Sequence, residues 1–407
     1  MTFDTYETIA LACLVLLLGD FLVKRIKFLS DFNIPEPVVG GFLVAILLTI
    51  IYHYYGISFT FDTNVQRTMM LAFFTSIGLS ANFARLVKGG KPLVIFLIVA
   101  AILIVVQDIV GMFGAKALGI HPAYGLLAGS VTLTGGHGTG ATWAEIFKNT
   151  FHIPGTLEIA MACATFGLVS GGILGGPVAR FLLKRMNRQT IKEDDTVDDV
   201  EETFEKPRHL RKINTRTIIE TITMMSIALV VGQYLDSTLN PIMDKYLHLP
   251  LPTFLWCLFT GVIIRNLLTH TVQYKVSEEA IDVLGSVALS IFLAIALMVL
   301  KMWQIADLAL PVLVILIVQA VIMVFFAIYV TYRAMGKDYD AVVLSAGHCG
   351  FGLGATSTAV ANMQAITSNY GPSHKAFLIV PMVGAFFIDL LNAGILSVFN
   401  QLIPYIQ

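Results

Sequence analysis

The polar chemistry of this sequence is concentrated in two stretches that share one pattern: Gly136-x-Gly138-x-Gly140-Ala141-Thr142 and Gly350-x-Gly352-x-Gly354-Ala355-Thr356. They carry no nucleophile paired with a base. Their resources are backbone N–H and C=O groups, threonine and serine hydroxyls, and the imidazoles of His137 and His348. Glycine tolerates positive φ and lets the backbone approach a ligand closely. A half-helix that starts at such a turn aims unpaired N–H groups, carrying about half a positive charge, at whatever lies there. Two of them neutralise a small anion without a buried arginine. Freed carbonyls and hydroxyls are hard oxygen donors that suit an alkali cation. The expected anion-binding set is Thr134, Gly135, Gly136, His137, Gly138, Thr139, Gly140 and Thr142 in the first stretch. In the second it is Gly350, Gly352, Gly354, Thr356 and Ser357, with Asn392 from the segment that follows.

Ionisable groups inside apolar segments are costly and mark functional positions by default. Asp108 beside Gln107 and Asp389 beside Asn392 are of this kind, in the segments before the first stretch and after the second. Gln107, Asp108, Ser345, Thr358 and Asp389 form the candidate cation set, with structural hydrogen bonding as the competing explanation. The histidines either switch on protonation or satisfy polar groups within the loop. Tight helix packing competes for the glycines and is adopted for Gly171, Gly172, Gly175 and Gly176. A dinucleotide loop is excluded because its fingerprint needs a strand and a following acid. Arg265 is expected to snorkel.

The elements that position these residues are membrane helices. Of the 407 residues 56% are hydrophobic and 13% charged, with mean hydropathy +0.79, far from the one-quarter charge of soluble domains. About 20 apolar residues cross the hydrocarbon, and ten such spans are predicted at 6–23, 35–53, 66–84, 92–117, 156–183, 216–236, 251–269, 280–300, 309–332 and 374–400. Of 26 Lys and Arg residues, all but Arg67, Lys116, Lys148, Lys245 and Lys301 fall in loops that face the cytoplasm if the first span starts outside. Both termini are therefore expected to be periplasmic, with the first span retained. The cysteines, Cys13, Cys163, Cys257 and Cys349, show no metal-ligand spacing.

Residues 187–215, acidic from Glu193 to Glu205 and flanked by basic side chains, read as a charged cytoplasmic linker. It separates residues 1–186 from 216–407, and the halves match. "IPEPVVGG" (34–41) pairs with "LPLPTFLW" (249–256), "KPLVIFLIV" (91–99) with "LPVLVILIV" (310–318), and the glycine stretches with each other. Five spans per half force the second copy to enter from the opposite face, an inverted repeat of the kind secondary transporters use. A spanning helix through Gly135, Gly136, Gly138 and Gly140 loses about 1 kcal/mol per glycine. Residues 123–134 reach only about 18 Å as helix. Each stretch is therefore expected to form a re-entrant hairpin, at 122–148 from outside and 340–366 from inside, lining a cavity where non-helical backbone is tolerated. The fold class is an all-α membrane protein.

"GSVTLTGGHGTGATWAEIF" (129–147), "SAGHCGFGLGATSTAVANM" (345–363) and "FNIPEPVVGG" (32–41) resemble the bacterial sodium/glutamate symporter family. The resemblance implies sodium-driven uptake of L-glutamate across the bacterial inner membrane, with sodium as coupling ion and two re-entrant loops at the site. It also implies a homodimer in the lipid bilayer whose core (spans 4, 5, 9, 10 and the hairpins) moves against a scaffold (spans 1–3 and 6–8). No enzymatic chemistry and no nucleic-acid partner are expected. Taken alone, the residues also admit a citrate or malate carrier, a membrane subunit of a sodium-pumping decarboxylase, and a channel.

Overall fold

The computed structural model describes residues 2–31, 34–57, 59–186, 213–247, 251–271, 274, 276–298 and 308–406. Within them the chain is helical, apart from one isolated bridge between Thr2 and Thr60. Most of the charged linker (187–212), Lys275, Lys301, the end of the eighth expected span (299–300), and Phe32, Asn33, Leu249 and Pro250 of the matched stretches lie outside the described residues. In chain order the helices are α1 (Thr5–Arg25), α2 (Lys27–Asp31), α3 (Glu36–Tyr55), α4 (Thr63–Ser80), α5 (Phe83–Ala117), α6 (Pro122–Leu127), α7 (Ser130–Leu133), α8 (Gly136–Phe151) and α9 (Thr156–Arg185). Then come α10 (Thr215–Leu247), α11 (Thr253–His270), α12 (Glu278–Met298), α13 (Ala309–Phe326), α14 (Tyr332–Ala334), α15 (Tyr339–Leu353), α16 (Thr356–Tyr370), α17 (His374–Met382) and α18 (Ile388–Ile406). Single π-helical turns, Ala327–Thr331 and Val383–Phe387, join α13 to α14 and α17 to α18.

Local signals set the helix ends. Asp4 and Glu7 form a reciprocal capping box at α1, with Glu7 N donating to Asp4 Oδ1 at 2.8 Å and Asp4 N to Glu7 Oε2 at 3.0 Å. Such a box satisfies two of the orphan donors at a helix start. Asp62 caps α4 and Asp338 caps α15. Among the described residues, eight helices are long and apolar enough to cross a membrane: α1, α3, α5 from Gly90, α9, α10 to Met243, α11, α12, and the run from Ala309 to Ala334. Two other expected spans are helical but fall short of that measure. α4 carries Asn64, Gln66 and Arg67 in 18 residues, and the π turn divides the last segment into pieces of 9 and 19 residues.

Packing divides the helices into two groups. α1, α3, α4, α10, α11 and α12 pack chiefly on one another, and α5–α9 pack with α13–α18. Within the first group α1 lies on α3 and α10 on α11, while α4 packs on α11 and α3 on α12. The second group is drawn tight by small residues: a Cβ built on Gly167 of α9 falls 2.0 Å from the Leu353 carbonyl oxygen of α15.

Arg265 corrects one expectation. It does not snorkel but is 4% exposed and paired with Glu278 at 2.8 Å. A salt bridge from Glu278 of α12 holds it inside the first group. Asp20 of α1 pairs with Lys24 at 2.7 Å. All four cysteines are free thiols.

Candidate functional site

Both glycine stretches fold as helical hairpins. In the first, α6 and α7 form a limb that breaks at Ala128 and Gly129, turns through Thr134 and Gly135, and returns as α8. Gly136, which opens α8, has φ +68°, a conformation that side chains with a Cβ resist. The base is tied where the limbs meet: Tyr124 Oη donates to the Pro154 carbonyl at 2.6 Å. In the second hairpin α15 and α16 are the limbs and Gly354–Ala355 the turn. Tyr339 Oη donates to the Gly371 carbonyl, and Ser373 Oγ to Asp340 Oδ1 at 2.7 Å. Each hairpin is thus closed at its base by a tyrosine bonded to a carbonyl just past the returning limb.

The glycine motifs do not sit in the same register about the two turns. Gly136, Gly138 and Gly140 lie in the opening turns of α8, whereas Gly350 and Gly352 lie in the last turns of α15 and Gly354 caps it. The second half-helix therefore starts at Thr356, the last residue of its motif, and not among the glycines. Gly350 serves packing instead: its Cβ would fall 2.4 Å from Ala359 Cα, so its absence lets the limbs close.

The turns meet. Gln107 Nε2 donates to the Gly352 carbonyl at 2.7 Å, and Gln107 Oε1 accepts from Thr134 Oγ1 at 2.8 Å. Thr134 Oγ1 also lies 3.4 Å from the Gly352 carbonyl. One buried amide, 1% exposed, clasps both hairpins. Gln319 of α13 supports it, donating from Nε2 to the Gln107 carbonyl at 2.7 Å.

A cavity of about 780 Å³ lies between the two groups of helices. The second group contributes Thr134, Gly135, Gly136, His137, Gly138, Gly354, Ala355, Thr356, Ser357 and Asp389 to its wall. Phe73 of α4, Leu289 and Ser290 of α12, and Pro35–Glu36–Pro37 at the start of α3 face them. Among the described residues, no lysine or arginine lines the cavity. Neither α8 nor α16 has a side-chain cap at its start. Both leave the first backbone donors, which have no intrahelical partner, beside the cavity. His137 Nε2 lies 3.2 Å from Thr165 Oγ1. Thr356 Oγ1 donates to the Gly384 carbonyl at 2.7 Å, a carbonyl within the second π turn.

Thr139, Gly140, Thr142, Gly350, Gly352, Gln107, Asp108, Ser345, Thr358 and Asn392 stand behind this wall and do not line the cavity. Thr142 bonds back to the Gly138 carbonyl and Ser345 to the Ala341 carbonyl. Asp108 Oδ1 accepts from Ser130 N at 3.1 Å, and Asn392 accepts from Ser130 Oγ at 2.7 Å while donating to the Ser130 carbonyl at 3.0 Å. Together they hold the break between α6 and α7. Asp108 Oδ2 and Thr358 Oγ1 have no partner among the described residues. The donor set near the turns fits an alkali cation in chemistry, being oxygen throughout; Asp389 is the carboxylate of the second group that reaches the cavity.

His348 is buried against Phe96, Phe326 and Phe351, with Nδ1 2.8 Å from Thr331 Oγ1 in the first π turn. Both π turns therefore hold the second hairpin, as π turns commonly do at functional sites. Gln319, Ser130, Thr331 and Gly384 went unselected in the sequence. Gln319 alone gave a signal, a single amide in the apolar run "LPVLVILIVQAVIM".

Broken helices whose ends converge on a cavity between two helical groups define a membrane transport protein. The chain belongs to the sodium/glutamate symporter family, whose sequence model, "Sodium/glutamate symporter", matches residues 1–372. It is 67% identical to the sodium/glutamate symporter of Haemophilus influenzae over 397 residues, 98% of this chain and 97% of that one. With the sodium/glutamate symporter of Escherichia coli the identity is 51% over 399 residues, 98% of each. Among solved structures, the sodium proton antiporter MjNhaP1 of Methanocaldococcus jannaschii covers 98% of both chains at 12% identity, with a TM-score of 0.39. That likeness is too loose to carry an argument.

Proposed function

We propose that this chain imports L-glutamate with sodium across the bacterial inner membrane by alternating access. The observation that carries the reading is the pair of uncapped helix starts, at Gly136 and Thr356, on one cavity that, among the described residues, no lysine or arginine lines. An anionic cargo is held there by backbone dipoles and by the coupling cation, whose charge makes burial of two carboxylates tolerable. Asp389 and the freed oxygens of the turns serve the cation. Gln107, Asp108 and Asn392 act from behind, keeping the first hairpin and its contact with the second in place.

In this reading the hairpins are re-entrant from opposite faces and belong to inverted five-span repeats, with α4 and the α17–α18 segment completing ten spans. The reciprocal packing of α4 on α11 and α3 on α12 supports the repeat. The division into two groups supports an elevator-like motion of α5–α9 and α13–α18 against the rest. The first group would carry the homodimer contact. The cavity reaches Val23, Ser30 and Ile34, beside the basic residues Lys24, Arg25 and Lys27, so it opens to the cytoplasm, the side of the charged linker. Both termini lie in the periplasm.

Moving one charge across 100 mV is worth about 2.3 kcal/mol. Glutamate with one sodium draws nothing from the potential, so more than one sodium accompanies each glutamate. The test is radiolabelled glutamate uptake into proteoliposomes. Uptake should require an inward sodium gradient and rise with an inside-negative potential; uptake indifferent to sodium refutes the reading. Citrate or malate outcompeting glutamate would reassign the cargo.

A further inference from the structure

A carboxylate shut off from solvent lies one layer behind the cavity. Asp108 of α5 is fully buried, and its Oδ1 accepts from Ser130 N at 3.1 Å, at the break between α6 and α7. Its Oδ2 has no partner among the described residues. Among them no lysine or arginine pairs with Asp108, and no charged side chain lies close enough to offset its charge. A buried carboxylate without a compensating charge is strongly destabilising, and inside a membrane-spanning segment such a group marks a function by default.

The backbone beside it adds charge of the same sign. Gly129 lies in the break, and a Cβ built on it would fall 3.0 Å from the Gln107 carbonyl oxygen, 3.2 Å from Asp108 Oδ1 and 3.2 Å from the Gly125 carbonyl oxygen. Three oxygens from α5 and α6 thus converge on one space too tight for a methyl group. The Gln107 carbonyl accepts from Gln319 Nε2 at 2.7 Å and keeps a second lone pair. Gly125 lies in the last turn of α6, where carbonyls run out of intrahelical donors. Oxygens so arranged repel one another unless positive charge lies among them. A proton would serve one pair of them, whereas a small hard cation is shared by all three.

We propose that Asp108, with the Gln107 and Gly125 carbonyls, binds a sodium ion separate from the one that Asp389 serves. The inference rests on the reading that more than one sodium moves with each glutamate, and it gives the additional ion a place. Gln107 links that place to the cavity. Its backbone carbonyl faces the site, while its side chain holds Thr134 Oγ1 at 2.8 Å and the Gly352 carbonyl at 2.7 Å. An ion at Asp108 ties α5 to the break in the first hairpin and, through Gln107, steadies both turns. It therefore prepares the glutamate site without touching glutamate.

The experiment counts radiolabelled sodium bound per purified full chain, reads the melting shift that sodium produces, and measures sodium and glutamate fluxes in the same proteoliposomes. The variants are Asp108→Asn, which keeps an acceptor for Ser130 N, Gly129→Ala, whose methyl enters the space between the three oxygens, and Asp389→Asn in the cavity. Asp108→Asn and Gly129→Ala should each bind one sodium fewer than the native chain, show a smaller sodium-induced rise in melting temperature, and carry one sodium fewer per glutamate. Their glutamate uptake should depend correspondingly less on the membrane potential. Asp389→Asn should still bind the sodium at Asp108. A native sodium count in Asp108→Asn or Gly129→Ala overturns the proposal, and a merely structural Asp108 would lower melting without changing that count. An unchanged count with an altered pH dependence of uptake in Asp108→Asn also overturns it and assigns a proton instead. Should both of these variants fail to fold, Asp389→Asn decides: sodium binding that survives there supports the site, and its complete loss refutes it. If the native chain binds sodium yet shows no sodium-dependent glutamate flux, it is the transport reading that has failed.

Discussion

Replacing Gln107 with leucine tests whether one amide holds the two hairpin turns together. The substitution keeps approximate volume and removes a donor to the Gly352 carbonyl at 2.7 Å and an acceptor for Thr134 Oγ1 at 2.8 Å. The damage is not simply doubled. Thr134 Oγ1 already lies 3.4 Å from the Gly352 carbonyl, so once released it can turn to that oxygen, and one hydrogen bond replaces two. The net loss is one buried polar bond with imperfect rescue, about 1–3 kcal/mol. If that energy separates the clasped arrangement from looser ones, the binding-competent fraction falls about 5- to 150-fold, and the apparent affinity for glutamate falls with it. Gln319→Met is the internal comparison. Gln319 donates only to the Gln107 carbonyl, and its own Oε1 has no partner among the described residues. Removing the amide loses a bond and relieves an unsatisfied oxygen, so the net change should lie within about 1 kcal/mol. Thermal unfolding in detergent and initial uptake rates in proteoliposomes read both quantities. Gln107→Leu with native melting and native half-saturation, or Gln319→Met as damaging as Gln107→Leu, refutes the reasoning.

A Cβ at Gly138 would meet Phe73 Cε1 at 2.8 Å and Leu289 Cδ1 at 2.9 Å, so Gly138→Ala wedges the first turn against the opposite group at a cost of about 1–3 kcal/mol. It should slow uptake with little effect on melting, as a residue at a sliding contact does; unchanged uptake removes that contact from the mechanism. Gly167→Ala, whose Cβ would sit 2.0 Å from a backbone oxygen within one group, should instead lower the melting temperature or abolish folded yield. Glu278→Gln strands the Arg265 guanidinium, whose Nε and Nη1 have no partner among the described residues. It should destabilise by about 3 kcal/mol, while Arg265→Met costs less, an order that chemical denaturation or melting can check.

Much of the membrane architecture could be read from periodic hydropathy, because about 20 apolar residues admit few alternatives to a spanning helix. The glycine stretches were legible for a related reason: their residue types cannot face lipid as helix without loss. Register about the turns was not. Matching Gly136 to Gly350 aligned an N-terminal turn of one limb with a C-terminal turn of another, since glycine serves both a turn (Gly136, φ +68°) and close packing (Gly350). Nor did the sequence separate residues that line the cavity from those that hold its wall. Asp108 and Asn392 carry the right chemistry for a site, and both bond to Ser130, Asp108 through Oδ1 alone, without lining the cavity. Which way a polar side chain faces depends on partners far along the chain, as with Gln107 and Gly352. The π turns left no local signature, and Arg265 was misjudged because its partner lies on the next helix.

The proposed transport requires glutamate and sodium to meet at the two turns, and Ser357, at the start of α16 on the cavity wall, reports on that meeting most directly. In a background without the four native cysteines, Ser357→Cys should react with a membrane-impermeant maleimide applied to the cytoplasmic face of inside-out vesicles. Sodium and glutamate together should slow that reaction, and neither sodium nor choline alone should slow it as much. Labelling at an unchanged rate with both ligands present, or reaction confined to the periplasmic face under every condition, would contradict it.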